Sequence, residues 1–206
     1  MILQIFSNLD KVLISVIQNY GILFYPLLFL VVFIETGLVI FPFLPGDSLL
    51  FISGTLASKG LINIFLVFVI SSLAAIIGDS VNYWTGNFVG GKICNSKFVK
   101  KDYLIKTQNF YEKYGAKTII LSRFVPIVRT FAPFVAGIGK MKYGKFLSYN
   151  IIGGILWAAL FVFAGFFFGT IPLIEKNLSL TIILIIGISF APIIVEYIKH
   201  KRNKNN

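Results

Sequence analysis

Hydrophobic positions in this chain gather into six runs, at residues 21–41, 48–56, 61–84, 118–139, 146–171 and 178–197. Within them apolar residues are continuous rather than spaced at helix or strand intervals, the pattern of segments with apolar surroundings on every side. A helix that crosses a bilayer needs roughly 20 such residues, so 61–84, 146–171 and 178–197 read as spans and 48–56 is too short. The run 118–139 is long enough, but Pro126 and Pro133 each remove a backbone hydrogen bond, and Arg123 and Arg129 are costly against lipid. It reads as a hairpin that dips into the membrane and returns, because irregular backbone at that depth must be shielded by protein or line a wet cavity. The segment before residue 21 carries Asp10 and Lys11 and lacks the basic start and cleavage site of a signal peptide. It reads as a retained amphipathic or membrane-entering helix.

Basic positions supply the orientation. Lys92, Lys97, Lys100, Lys101, Lys106, Lys113 and Lys117 form one cluster, Lys140, Lys142 and Lys145 a second, and Lys199, Lys201, Arg202 and Lys204 a third. The positive-inside rule puts all three in the cytoplasm. Run 146–171 then leaves the cytoplasm, 178–197 returns to it, and the hairpin at 118–139 has both ends there. With both chain termini cytoplasmic, one crossing ends between Ile34 and Phe41, and the chain from there to Ala57 forms a second hairpin, entering from the outside. Its turn is written in Pro42, Pro45, Gly46 and Asp47, with Asp47 capping the helix that follows. The expected fold class is all-α, a polytopic membrane helical bundle with two opposed re-entrant hairpins in an inverted-topology repeat. Several transporter folds place a substrate site where such broken elements meet. Residues 1–206 form a single membrane domain, with a basic loop at 90–117 and a basic tail at 199–206. In the loop, Phe110, Tyr111 and Tyr114 beside Lys106, Lys113 and Lys117 predict a short helix lying on the headgroups.

Composition agrees. Hydrophobic residues make up 57% and charged residues 13%, against roughly 25% charged in soluble domains. The formal net charge of +11 follows from the three clusters, so a bilayer surface, not nucleic acid, is the expected partner. One histidine, His200, and one cysteine, Cys94, exclude a disulfide, a Cys/His zinc site or a Ser-His-Asp triad within one chain. No metal, cofactor or enzymatic activity is expected. A homo-oligomer is compatible with the sequence, which does not specify one.

The informative residues are the charges at membrane depth: Glu35, Asp47, Asp79, Arg123 and Arg129. Each costs on the order of 2.5 to 3.5 kcal/mol at a helix centre, so they require mutual compensation or a wet cavity. Three acids against two arginines leave one negative charge. Protonating one or two acids makes the group neutral or positive, so anion binding there is coupled to proton uptake. Arginine suits a phosphate because its planar fork gives two parallel charge-assisted hydrogen bonds, and Ser122 and Thr130 add hydroxyls. Plainer readings compete: Asp47 as a helix cap, Asp79 as a solvated interfacial residue, Glu35 in a structural ion pair, and Arg123 snorkelling towards the cytoplasm. The aromatic residues, Trp84 and Trp157 among them, read as interfacial or packing residues, and Gly165 and Gly169 as a small-residue face for close helix packing.

Glu35-Thr36-Gly37, then Phe43-Leu44-Pro45-Gly46-Asp47-Ser48, then Gly78-Asp79 with Tyr83 and Gly86, resembles the first half of the DedA family, also called the SNARE-associated or VTT-domain family. The second-half signature is Ser122-Arg123-Phe124-Val125-Pro126-Ile127-Val128-Arg129-Thr130, running to Gly137 and followed by Tyr149-Asn150, Gly154 and Trp157. The resemblance covers about residues 34–169 in the family's order and spacing. It implies opposed re-entrant hairpins and transbilayer movement of lipid: for bacterial members undecaprenyl phosphate or a phospholipid, with the proton-motive force implicated. It places the family's functional positions on Glu35, Asp47, Arg123 and Arg129. The expectation is therefore a proton-coupled transporter of undecaprenyl phosphate or a related anionic lipid in the bacterial cytoplasmic membrane. Arg123, Arg129, Thr130 and Ser122 hold the phosphate, and Glu35, Asp47 and Asp79 take up protons. A passive scramblase and a proton-coupled exchanger of small ions or solutes remain as alternatives.

Overall fold

The computed structural model describes residues 21–37, 46–93, 101–169 and 171. The amino-terminal helix, the turn residues Pro42 and Pro45, Cys94, the run 178–197 and the basic tail lie outside the described residues. What is described is all α-helical apart from 3-10 turns and connecting loops: α1 (Phe24–Gly37), α2 (Gly46–Ser58), α3 (Ile64–Ile93), α4 (Lys101–Tyr114), α5 (Thr118–Ser122), α6 (Pro126–Ile138) and α7 (Tyr143–Phe168).

Two of these helices, over Ile64–Phe88 and Tyr143–Phe168, are long and apolar enough to cross a membrane. Their exposed large hydrophobic side chains follow the helical repeat, at Phe65, Val69, Leu73, Ile77, Val81, Trp84 and Phe88 on α3 and at Ile151, Ile152, Ile155 and Leu156 on α7. Apolar stripes this continuous on an outer face are a surface for lipid rather than water. Helices α2 and α6 each have 13 residues, about 20 Å of rise, too short to span a hydrocarbon core of about 30 Å. Every residue of α2 from Ser48 to Ala57 is buried, which is where an all-round apolar helix must sit. Its hydroxyls bond inward: Ser53 Oγ donates to the Leu49 carbonyl at 2.7 Å, and Thr55 Oγ1 to the carbonyls of Phe51 and Gly165, each at 3.1 Å.

Each short helix packs chiefly on one long helix, α2 on α7 and α6 on α3. The two crossings are built alike. A Cβ on Gly54 would strike the Val162 carbonyl, and one on Gly165 the Phe51 carbonyl; a Cβ on Gly137 would strike the Tyr83 carbonyl, and one on Gly86 the Phe134 carbonyl. Gly165 therefore belongs to a close-packed face, as its spacing predicts. The short helices also end alike. Gly60 N–H donates to the Ala57 carbonyl at 3.0 Å and Leu61 N–H to that of Leu56 at 3.2 Å; Lys140 N–H donates to Gly137 and Met141 N–H to Ala136, both at 3.0 Å. This is the Schellman arrangement, with its left-handed residue at Gly60 (φ 74°) after α2 and at Lys140 (φ 51°) after α6.

One expectation holds and two change. The chain is interrupted at Arg123–Val125, where α5 closes with tight i to i+3 bonds and Val125 is extended ahead of Pro126, the first residue of α6. Pro133, expected as a second breaker at the hairpin turn, lies inside α6. One proline deletes a single intrahelical donor, and its fixed φ is already helical, so packing on α3 carries the helix through. Third, α4 is the helix expected in the basic loop, but it is docked on α6 instead of only resting on headgroups. Tyr111 is partly buried, and its hydroxyl donates to the Ala132 carbonyl at 2.9 Å.

Candidate functional site

Five ionisable residues meet in the bundle, in two separate clusters. Glu35 is in the last turn of α1, Asp47 in the first turn of α2, Asp79 midway along α3, Arg123 at the break after α5, and Arg129 in α6.

In the first cluster Arg129 Nη1 lies 3.0 Å from Asp47 Oδ1 and Arg129 Nη2 lies 3.4 Å from Glu35 Oε2. The guanidinium sits over the indole of Trp157, 4.3 Å from the ring centroid, a cation–π contact strengthened by burial. Trp157 Nε1 donates to the same Asp47 oxygen at 2.8 Å. Glu35 Oε1 accepts the Gly46 N–H at 3.2 Å, and a Cβ at Gly46 would fall on the Glu35 carboxylate. A side chain at 46 would therefore push the Glu35 carboxylate out of this position. The cluster holds two acids and one arginine, a net charge of −1 when all are ionised.

In the second cluster Arg123 Nη2 donates to Asp79 Oδ2 in a close ion pair and to Asn150 Oδ1 at 2.6 Å. Asn150 is fixed in turn by Nδ2, which donates to the Ile76 carbonyl at 2.9 Å. The arginine stem lies on bare backbone of α7, since a Cβ at Gly153 would come within 3.1 Å of Arg123 Cδ and Nε. This cluster is neutral. Exposure separates the two: the Arg123 and Asp79 side chains are 2% and 5% exposed, whereas Arg129 is 11% and Asp47 20% exposed. One turn beyond Asp79, Asn82 Nδ2 donates to the carbonyls of Thr36 at 3.3 Å and Thr130 at 2.8 Å, tying α1 and α6 to α3. Among the described residues, no group of His, Cys, Asp and Glu is arranged to hold a metal ion.

The five charges predicted at membrane depth are thus brought together, but Arg123 and Arg129 have different partners. Arg123 does not snorkel, and Asp79, 4% exposed, is not a solvated interfacial residue. Asp47 lies in the first turn of α2, and its carboxylate accepts from Arg129 and Trp157. Of the expected phosphate ligands, Ser122 Oγ donates to its own helix at the Ile119 carbonyl, 3.1 Å away, and Thr130 is buried with its carbonyl bonded to Asn82. Trp157, expected as an interfacial or packing residue, is fully buried as the platform for Arg129. Asn150 was missed as an Arg123 ligand, although an amide inside an apolar span is a signal of its own.

The VTT domain family model matches residues 44–167, which include Asp47, Asp79, both arginines and Trp157. The chain belongs to the DedA family of VTT-domain membrane proteins. It is 53% identical over 200 residues to Protein DedA of Escherichia coli K12, covering 95% of this chain and 91% of that protein. This DedA-family chain is also 40% identical over 173 residues to a membrane protein of Mycobacterium leprae (82% and 78% covered), and 30% identical over 159 residues to inner membrane protein YqjA of E. coli K12 (76% and 72% covered). No solved structure matches it at a significant level. It is a multi-pass membrane protein.

Proposed function

We propose that this protein is a proton-coupled transporter of an anionic lipid, undecaprenyl phosphate or a related phospholipid, in the bacterial cytoplasmic membrane. The observation that carries the reading is the Arg129 guanidinium held between two carboxylates, Glu35 and Asp47, inside a lipid-facing bundle. With both acids ionised the cluster is net negative and the arginine fork is engaged. Protonating Glu35 and Asp47 releases the fork and leaves a positive site, in which a lipid phosphate takes the carboxylates' place with the same bidentate geometry. Arg123 contributes through Nε and Nη1, which are buried and make no hydrogen bond among the described residues. Asp79 is the third proton site. Phosphate binding and proton loading are then one event, and the proton gradient sets its direction.

The short helices α2 and α6, with their matching glycine crossings and matching Schellman ends, support the reading of two re-entrant elements in an inverted repeat. Each carries part of the Arg129 cluster, Asp47 on α2 and Arg129 on α6, so moving one against the other opens and closes the site.

The test is uptake of the lipid phosphate into proteoliposomes, with and without an inward proton gradient. The gradient should accelerate the native protein, Arg129→Ala should abolish that acceleration, and Trp157→Phe should reduce it about tenfold, the value of a hydrogen bond to a charged group. Equal native rates with and without the gradient would reject the coupling. Equilibration of several unlike headgroups without any gradient would indicate a passive scramblase.

A further inference from the structure

A cavity of about 380 Å³ opens between α4, the end of α6 and the start of α7, lined by Gln108, Tyr111, Val135, Gly139, Met141 and Lys145. It shares no residue with either arginine cluster. Its walls are mostly apolar, yet Lys145 reaches it, and Lys140 stands between two of its lining residues, Gly139 and Met141. Tyr143, between the lining residues Met141 and Lys145 in the chain, forms a tilted pair with Trp84 with ring centroids 5.1 Å apart, residues of the kind that mark the membrane–water interface.

The backbone supplies an independent clue. The caps of α2 and α6 are equivalent, but the first reads Lys59-Gly60 and the second Gly139-Lys140, the same two residues in reverse order. In the first the glycine takes the left-handed position; in the second the lysine does, at φ 51°. A left-handed backbone is strained for a residue with a side chain and not for glycine. Orientation by positive charge and complementarity to the helix dipole are both satisfied by the unstrained order, so neither explains the reversal. Nor does packing demand glycine at 139, where a Cβ would meet only the carbonyls of Val135 and Ala136 in its own helix. What the reversal does is leave the cavity wall bare at Gly139 and put an exposed lysine one residue further on, between the lining residues Gly139 and Met141.

We propose that this cavity, with Lys140 and Lys145, is a binding site for a resident anionic phospholipid of the adjacent leaflet. An acyl chain lies against Val135 and Met141, and the phosphate lies at the two lysines. The occupant is a lipid because the walls are apolar and the cavity lies in a membrane protein, and it is anionic because the one charged lining side chain, Lys145, and the exposed Lys140 between two lining residues are both basic. Bound there, it bridges the basic helix α4 to the end of α6, and it is distinct from any lipid handled at Arg129.

The experiment is native mass spectrometry of the purified full chain in detergent with equimolar phosphatidylglycerol and phosphatidylcholine. The native protein should retain phosphatidylglycerol preferentially. The exchange Gly139→Lys with Lys140→Gly conserves net charge and restores the unstrained order; it should melt at a higher temperature than the native chain and yet lose about fivefold of the preference, the contribution of one lysine at a lipid surface. Lys145→Gln should lose a similar factor without the gain in melting temperature. Undiminished preference in either variant, equal retention of the two lipids by the native chain, or displacement of the lipid by millimolar inorganic phosphate would each overturn the proposal.

Discussion

Replacing Asp79 with Asn removes one charge and almost no volume, and the structure predicts what that does. Arg123 is held in a pocket where its side chain is 2% exposed, and its other anchor, Asn150, is neutral. Without Asp79 the guanidinium loses its counter-charge while staying walled in by Gly153 and Gly154 of α7. Breaking a buried pair by removing one partner costs about 3 to 5 kcal/mol, mostly because the remaining charge is uncompensated. At roughly 2 to 4 °C per kcal/mol for a chain of this size, Asp79→Asn should lower the melting temperature in detergent by roughly 10 °C. Replacing both partners with apolar residues, Asp79→Leu with Arg123→Met, removes the burden and should return stability to about the native level or above it. Thermal unfolding followed by size-exclusion chromatography measures all three proteins. If Asp79→Asn loses less than about 1 kcal/mol, or the double variant is as damaged as the single one, charge compensation is not what holds Arg123.

Two further perturbations address other contacts. Gly46→Ala places a methyl group on the Glu35 carboxylate; it should abolish gradient-driven transport while α2 still folds, which unchanged circular dichroism alongside lost uptake would establish. Burial of the Tyr111 hydroxyl raises its pKa above the ordinary tyrosine value. The unfolded chain therefore loses this proton near pH 10 while the folded chain keeps it, and stability falls as pH rises through that range. Tyr111→Phe should flatten the alkaline fall, and an unchanged slope in a pH series of melting curves would contradict the assignment.

The spans were legible because they are uninterrupted: the runs 61–84 and 146–171 became α3 and α7 with shifts only at their ends. The break before Pro126 was equally readable, since the residue ahead of a proline is pushed out of helical geometry. Pro133 misled because a sequence shows the lost donor but not the neighbour that keeps the helix together. The presence of five intramembrane charges followed from their positions among the apolar runs, while their pairing did not. Whether Asp79 meets Arg123 or Arg129 depends on where α3, α5, α6 and α7 cross, and those crossings are set by bare backbone at Gly54, Gly86, Gly137 and Gly165. Gly153 shows the same limit, since a glycine that seats a neighbouring helix and one that seats a guanidinium look identical in the sequence.

At those four glycines the short helices touch the long ones through backbone, carbonyl against Cα. Interlocked side chains resist sliding because rotamers must change before a ridge can leave its groove; a glycine face has no ridge. The α2–α7 and α6–α3 contacts are therefore bearings, close in distance and low in friction along their length. Among the described residues, directional restraints on the bearings include Thr55 and the Trp157–Asp47 hydrogen bond on one, Asn82 and the Tyr83 hydroxyl donating to the Met141 carbonyl on the other, and the Arg129 ion pair to Asp47 linking the two short helices. Under the proposed proton coupling, protons do not have to push anything. They only have to draw the pins.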